Sequence, residues 1–361
     1  MIKNNKILGL EIIRFISAVA ILFWHYKHFS FNAEKIVAEN QPFYDLFKYF
    51  YDYGFLGVQV FWCISGYIFF WRYGSLIEEK ITNAKTFFVL RFSRLYPLHF
   101  ATLLLTLVLQ VLYFRGHDLF FVYQDNDLKH FLAQLFLASD WGLIKGNYSF
   151  NGPVWSISVE VLIYFIFFVT TRLFGTSAAI NIWVMTIVAL IMGFVPELPF
   201  NPSILVCLGF FYGGGLAALA VPWIEQSRFG RQIQYVAWGV IFLTLASPYW
   251  IKIRLFENQY FFLVLIYVSL IIFCFRSPFN VGERAGRCIE VLGNMTYASY
   301  LIHFPLQLLI VVVAYYLRQE IPIYSPYFFI SFIGITLCLS FFVFRYFEVP
   351  MQKFLRTKYR A

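Results

Sequence analysis

Charge is scarce in this sequence. Asp, Glu, Lys and Arg make up 13% of its 361 residues, against about 25% in soluble domains. A water-soluble fold is thereby excluded. Cysteine is sparse as well: Cys63, Cys207, Cys274, Cys288 and Cys338 are scattered, with no CxxC pair. They provide neither a zinc site nor a disulfide framework, so no metal is expected. No small-residue cleavage site follows the first apolar run, which is too long for a signal peptide and reads as a first membrane span. Internal repeats, low-complexity linkers and a second domain are also lacking, and residues 1–361 read as one transmembrane domain. Acidic residues are outnumbered, 19 to 28, giving a net charge of +9. In so apolar a chain that excess reports membrane topology rather than nucleic-acid binding.

What is abundant is apolar surface. Hydrophobic residues reach 60%, aromatics 22% and mean hydropathy +0.69. A spanning helix needs about 20 mainly apolar residues. Runs of that kind predict an all-α integral membrane protein of about ten transmembrane helices in one bundle, near 7–27, 50–71, 91–114, 153–173, 177–195, 203–221, 233–248, 258–275, 289–316 and 326–347. The run 128–139 is too short to span and reads as an interfacial amphipathic helix. With both termini cytoplasmic, 18 of the 28 basic residues fall on the inner side and nine on the outer, Arg14 lying within the first span. That bias supports the orientation. The longest outer segment, about 115–152, carries Asp118, Asp125, Asp127 and Asp140 among aromatics, and long loops of this kind are commonly functional.

Ionisable groups inside spans are costly and default to functional hypotheses. Arg14 and His25 are eleven residues apart, three helical turns plus about 20°, so they share a face about 16 Å apart. Self-neutralisation of Glu11 with Arg14 and an interfacial histidine is the simpler alternative. Arg91 and Arg94, at i,i+3, can fork onto phosphate oxygens or merely anchor the helix. Glu160 follows Asn151, Gly152, Pro153, Trp155, Ser156 and Ser158, and lies about two turns into its span. It must be protonated, hydrated or paired, with His25 as one partner, unless it only tethers helices. Tyr297, Tyr300 and His303 form a stripe about 120° wide, with His303 in the outer half of its span. They suit a pocket or hydrogen-bonded packing. Ser65, Gly66 and Tyr67, and Gly213, Gly214 and Gly215, allow close helix packing, although the triple glycine can also mark a broken transporter helix.

Together these residues resemble the membrane-bound acyltransferase 3 family, bacterial integral membrane proteins that O-acylate sugars and other acceptors. Arg14 followed by ten residues and His25 is similar to its arginine–ten–histidine signature. Gly57, Phe61, Ser65, Gly66 and Tyr67 resemble its second-helix signature. Arg91, Arg94 and Pro97 resemble its RxxR element, and Trp155, Ser156 and Glu160 its WSxxxE element. Thr296, Tyr297, Tyr300, Leu301 and His303 resemble its SYxxYLxH element, from which Thr296 and Ser299 depart, as Trp62 departs from the second-helix signature. Tyr346, Glu348 and Pro350 match the usual end of its last helix.

The resemblance implies a multi-pass protein of the bacterial inner membrane that transfers an acyl group, by family default acetyl, from acetyl-CoA to a hydroxyl of a saccharide or envelope polysaccharide. The lipid bilayer, acyl-CoA and the saccharide are its expected partners, and no permanently bound cofactor is expected. His25 is the expected general base, or an acyl carrier. Glu160 orients its imidazole, Arg14 stabilises charge on the donor path, and Arg91 and Arg94 hold CoA phosphates. Trp155, Ser156, Tyr297, Tyr300, His303 and Ser65 line the pocket. A secondary transporter or flippase is the alternative. It accounts for the spans and buried charges but not for the order of the motifs.

Overall fold

The computed structural model describes residues 7–31, 38–144, 148–194, 201–250 and 281–359, and among them every regular element is helical. That follows from the apolar runs, since a backbone away from water must satisfy its polar groups internally. The elements are α1 (Leu8–Tyr26), α2 (Tyr44–Tyr53), α3 (Gly57–Phe69), α4 (Ala84–His117), α5 (Leu128–Leu135), α6 (Trp155–Phe174), α7 (Ala178–Phe194), α8 (Ser203–Gln226), α9 (Gly230–Trp250), α10 (Glu283–Asn294), α11 (Thr296–Tyr316), α12 (Pro326–Val343) and α13 (Val349–Tyr359). A π-helical turn, Phe70–Gly74, extends α3, and a second, Phe344–Glu348, joins α12 to α13.

Seven of the described helical stretches are long and apolar enough to cross a membrane: Leu8–Ser30, Tyr44–Glu78, Ala84–His117, Gly152–Phe174, Ser203–Ile224, Thr296–Tyr316 and Pro326–Tyr359. Each overlaps an expected span. Of the other three, 177–195 corresponds to α7, with 17 residues, and 233–248 lies within α9. The run 258–275, with Cys274, lies outside the described residues, as do the residues before Ile7 and Lys145.

Several boundaries differ from the sequence expectation. The run 289–316 is two helices, because Met295 leaves the helical ladder and the charged residues Glu283, Arg284, Arg287 and Glu290 make α10 too polar to continue the span. His303 therefore stands two turns from the start of its helix rather than in the outer half. The sequence puts Arg91 and Arg94 at the start of the third span, yet α4 begins at Ala84 and places them two to three turns inside it. The last helix does not end near Glu348. Pro350 lacks the N–H that would reach back to Tyr346, and the wider π turn before it carries the chain on to Tyr359. Helix α5 is shorter than 128–139 and is capped by Asp127, whose Oδ1 accepts the His130 N–H at 2.9 Å.

Helix α4 shows the membrane pattern at residue level. Leu104, Leu105 and Val108 are exposed, whereas Thr102, Thr106 and Gln110 are buried. Its apolar side faces outward and its polar side inward, the reverse of a soluble helix. The buried groups are satisfied: Thr106 donates to the Thr102 carbonyl at 2.8 Å, and Gln110 exchanges two hydrogen bonds with the Phe121 backbone.

The chain groups into two compact units that interleave along the sequence. The first takes Met1–Arg14, Val58–Asn83 and Leu162–Gly293. Its centre is aromatic, with Phe69 stacked on Tyr164 at 4.4 Å and Phe167 and Phe211 edge-on to Phe69. Helices α3 and α8 approach each other through glycine. A side chain on Gly66 would overlap the Phe211 backbone, and one on Gly214 the Cys63 backbone. Helix α8 runs unbroken through Gly213–Gly215, so the glycines serve packing and do not interrupt the helix. The second unit takes Phe15–Gly57, Ala84–Val161 and Asn294–Ala361. One apolar core joins Leu109, Tyr113, Phe121, Phe304, Leu308 and Val312, and another joins Phe23, Tyr26 and Phe29 with Phe329 and Phe332.

Candidate active site

Three of the six histidines in the sequence converge in the second unit. His25 is the penultimate residue of α1, after which the chain tightens into a 3-10 turn, Lys27–Ser30, that brings His28 back over it. Their rings are 4.9 Å apart. His303 of α11 stacks on His25 at 4.8 Å and 28°. His28 and His303 are buried, while His25 keeps part of its surface open. One turn beyond His303, Gln307 donates to the His25 carbonyl at 2.9 Å. That carbonyl is among the last of α1, which lack partners within the helix.

The geometry fixes where one proton sits. His303 Nδ1 lies 3.2 Å from the Ser299 carbonyl, which can only accept, so Nδ1 carries the hydrogen and Nε2 the lone pair. Nε2 is buried with no partner among the described residues, and so is Nδ1 of His25. Nδ1 of His28 is likewise buried without a partner among the described residues.

The segment leading into α6 is moored beside them by proline chemistry. Pro305, inside α11, has no N–H for the Leu301 carbonyl four residues back. Asn151 Nδ2 supplies that bond at 3.0 Å. Next to it the Tyr300 hydroxyl donates to the Pro153 carbonyl at 2.6 Å, and Ser156 Oγ lies 2.7 Å from the same hydroxyl. Glu160, one turn beyond Ser156 on α6, is half-buried and within charge range of Tyr300. The groups placed against the His25 ring are His28, His303 and Lys27. Trp155 opens α6 and stacks on Tyr148 at 5.5 Å.

The structure thus brings together His25, Trp155, Ser156, Glu160, Tyr300 and His303. Tyr297 is engaged elsewhere, its hydroxyl donating to the Leu95 carbonyl and tying α11 to α4 beside Arg94. Arg94 is half-buried with no hydrogen bond or ion pair among the described residues. On the same stretch of α4, Ser93 accepts a bond from Arg356 Nε at 3.2 Å. Arg14 and Ser65 belong to the first unit. Arg14 is bound by Glu11 at 2.9 Å, both buried, which is the self-neutralising pair. Ser65 precedes Gly66 at the close contact of α3 with α8.

Sequence reasoning missed His28, Gln307, Tyr123 and Tyr148. His28 and Gln307 carried a signal, at i+3 from His25 and i+4 from His303. The two tyrosines did not, because they lie in the segment between α4 and α6, where no periodicity sets direction. Among the described residues no group of His, Cys, Asp and Glu is arranged to hold a metal ion.

A family model described as an acyltransferase domain matches residues 7–345, nearly the whole chain. No curated protein and no solved structure matches it.

Proposed function

This chain belongs to the acyltransferase 3 family, and we propose that it is an inner-membrane O-acyltransferase moving an acetyl group from acetyl-CoA to a saccharide hydroxyl of the cell envelope. The observation that carries the reading is the His25, His28 and His303 cluster, in which half-open His25 adjoins two buried histidines. An imidazole with an ordinary pKa near neutrality is the side chain best matched to deprotonating a hydroxyl at working pH.

In the proposed reaction His25 takes the proton of the acceptor hydroxyl as its oxygen attacks the thioester carbonyl. The carbon–sulfur bond then breaks, and the CoA thiolate leaves with the proton returned by the imidazolium. Glu160 stabilises the transient imidazolium charge across the pocket. Ser156 and Tyr300 hold the start of α6 against α11. Arg91 and Arg94 take CoA phosphates, Arg94 being a guanidinium without an anion among the described residues. Arg14, neutralised by Glu11, contributes to the donor path as a dipole rather than as a bare cation. About ten spans with both termini in the cytoplasm complete the reading, supported by the distribution of basic residues.

Purified protein with radiolabelled acetyl-CoA tests it. Label should move to glycan only when glycan is present, and His25→Ala should stop transfer while the protein remains inserted. Consumption of acetyl-CoA without any acylated product, or transfer undiminished in His25→Ala, would defeat the assignment.

A further inference from the structure

An aromatic path runs from the surface to the histidines within the second unit. Tyr148 is 41% exposed. It stacks on Trp155 at 5.5 Å and 22°, and stands edge-on to Tyr123 at 6.2 Å. Tyr123 in turn meets His28 edge-on at 5.8 Å and Phe304 at 5.0 Å. It lies directly on Gly152, where any side chain would overlap its ring, so the start of α6 fixes its position.

The polar ends of these rings also gather. Tyr123, Tyr148 and Tyr300 are within charge range of one another, Tyr148 is within range of Asp140, and Tyr300 of Glu160. Burial pushes the Tyr123 phenol up and the Tyr148 phenol up to about 12, so both keep their hydrogens at neutral pH. Among the described residues neither of those two hydroxyls has a hydrogen-bond partner. Asp140 is buried and held in place, its N–H donating to Ser158 Oγ at 3.1 Å and the neighbouring Trp141 indole donating to the Ser158 carbonyl at 2.8 Å.

Apolar ring faces beside unengaged hydroxyls and a carboxylate match one class of ligand, a pyranose-like polyol with an apolar C–H face and a hydroxyl rim. We infer that Tyr148, Trp155, Tyr123 and Asp140 form the acceptor subsite, where one sugar ring lies against the aromatic pair, hydrogen-bonds Asp140 and the phenols, and presents a hydroxyl toward His28 and His25. This assignment rests on the acyltransferase reading and adds the residues that select the acceptor. Tyr148 and Trp155 face the ring, Asp140 accepts its hydroxyl hydrogens, and Tyr123 borders the ring on the side of His28.

The test uses the saccharide fraction extracted from cells that make this protein, with radiolabelled acetyl-CoA as donor. Half-saturation is measured for saccharide and donor separately in the wild type, Tyr148→Ala, Tyr148→Phe and Asp140→Asn. Tyr148→Ala should raise the acceptor KM about tenfold and leave the donor KM unchanged, with Tyr148→Phe restoring most of the loss. Asp140→Asn should raise the acceptor KM similarly without altering the amount of folded protein. Unchanged acceptor KM values in both Tyr148→Ala and Asp140→Asn, with transfer intact, overturn the subsite and leave the acyltransferase reading standing. Equal rises in donor and acceptor KM overturn it too, since that pattern reports a structural defect. If the wild type labels lipid or protein and no saccharide, the acceptor class and the subsite fall together.

Discussion

At the scale of single residues the site turns on which imidazole nitrogen can take a proton. His303 has its tautomer set by the Ser299 carbonyl and is fully enclosed, so its lone pair points into protein. His25 is the member of the cluster that is not fully buried, so on the proposed reading it is the one an acceptor hydroxyl can reach. His25→Ala is therefore expected to lower transfer by about 100- to 10,000-fold, the usual worth of a general base. His303→Ala should cost less, through loss of the stacked ring that holds His25. Both rates can be measured with purified protein at matched folded amounts. A nearly inactive His303→Ala beside an active His25→Ala would move the base to His303. The sequence made His25 and His303 visible because ionisable groups stand out in apolar helices. It could not pair them, since they are 278 positions apart and nothing in either helix states its neighbour.

Among the elements, α11 organises the others, and its proline is the reason. Pro305 frees the Leu301 carbonyl for Asn151, so a helix defect becomes the mooring of the segment that carries Trp155 and Ser156. Asn151→Leu should leave that buried carbonyl unpaired and destabilise the protein by roughly 0.6–2 kcal/mol, the range for hydrogen bonds within membrane bundles. Adding Pro305→Ala should recover part of this, because an alanine at that position brings an N–H within reach of the Leu301 carbonyl. Thermal unfolding in detergent, run as a double-mutant cycle, measures the coupling, and strict additivity would show that the two sites are independent. The glycine contacts make a second case. Gly66→Val and Gly214→Val each push a side chain into the facing backbone, so overpacking of about 1–3 kcal/mol should appear as loss of the monodisperse peak in size exclusion. Most spans were legible because length and hydropathy are properties of one segment. The break at Met295 and the continuation through Pro350 were not, because each follows from how the local ladder accommodates its neighbours.

For the whole molecule the question is how far the acyl group travels. Tyr297 ties the start of α11 to Leu95, next to Arg94, and His303 is six residues farther along α11. The arginine level and the histidine level are therefore about 9 Å apart along that helix. Leu95 is itself eleven residues, about 16 Å, from the start of α4. With the start of α4 on the cytoplasmic side, as the basic-residue bias proposes, the proposed donor route has CoA phosphates entering from the cytoplasm and meeting Arg94 partway through the bilayer. The thioester then needs only the remaining 9 Å or so to reach His25, near the far end of α1. On that proposal the acceptor approaches from the other face, and Tyr148 is exposed to meet it. Vesicles of known orientation check this arrangement. Acetyl-CoA should support transfer only from the side holding the termini, and a membrane-impermeant saccharide should be acylated only on the opposite side. Acylation of saccharide supplied solely on the donor side would show that both substrates share one entrance, and the path from Arg94 to His25 would then have to be abandoned while the chemistry at His25 stood.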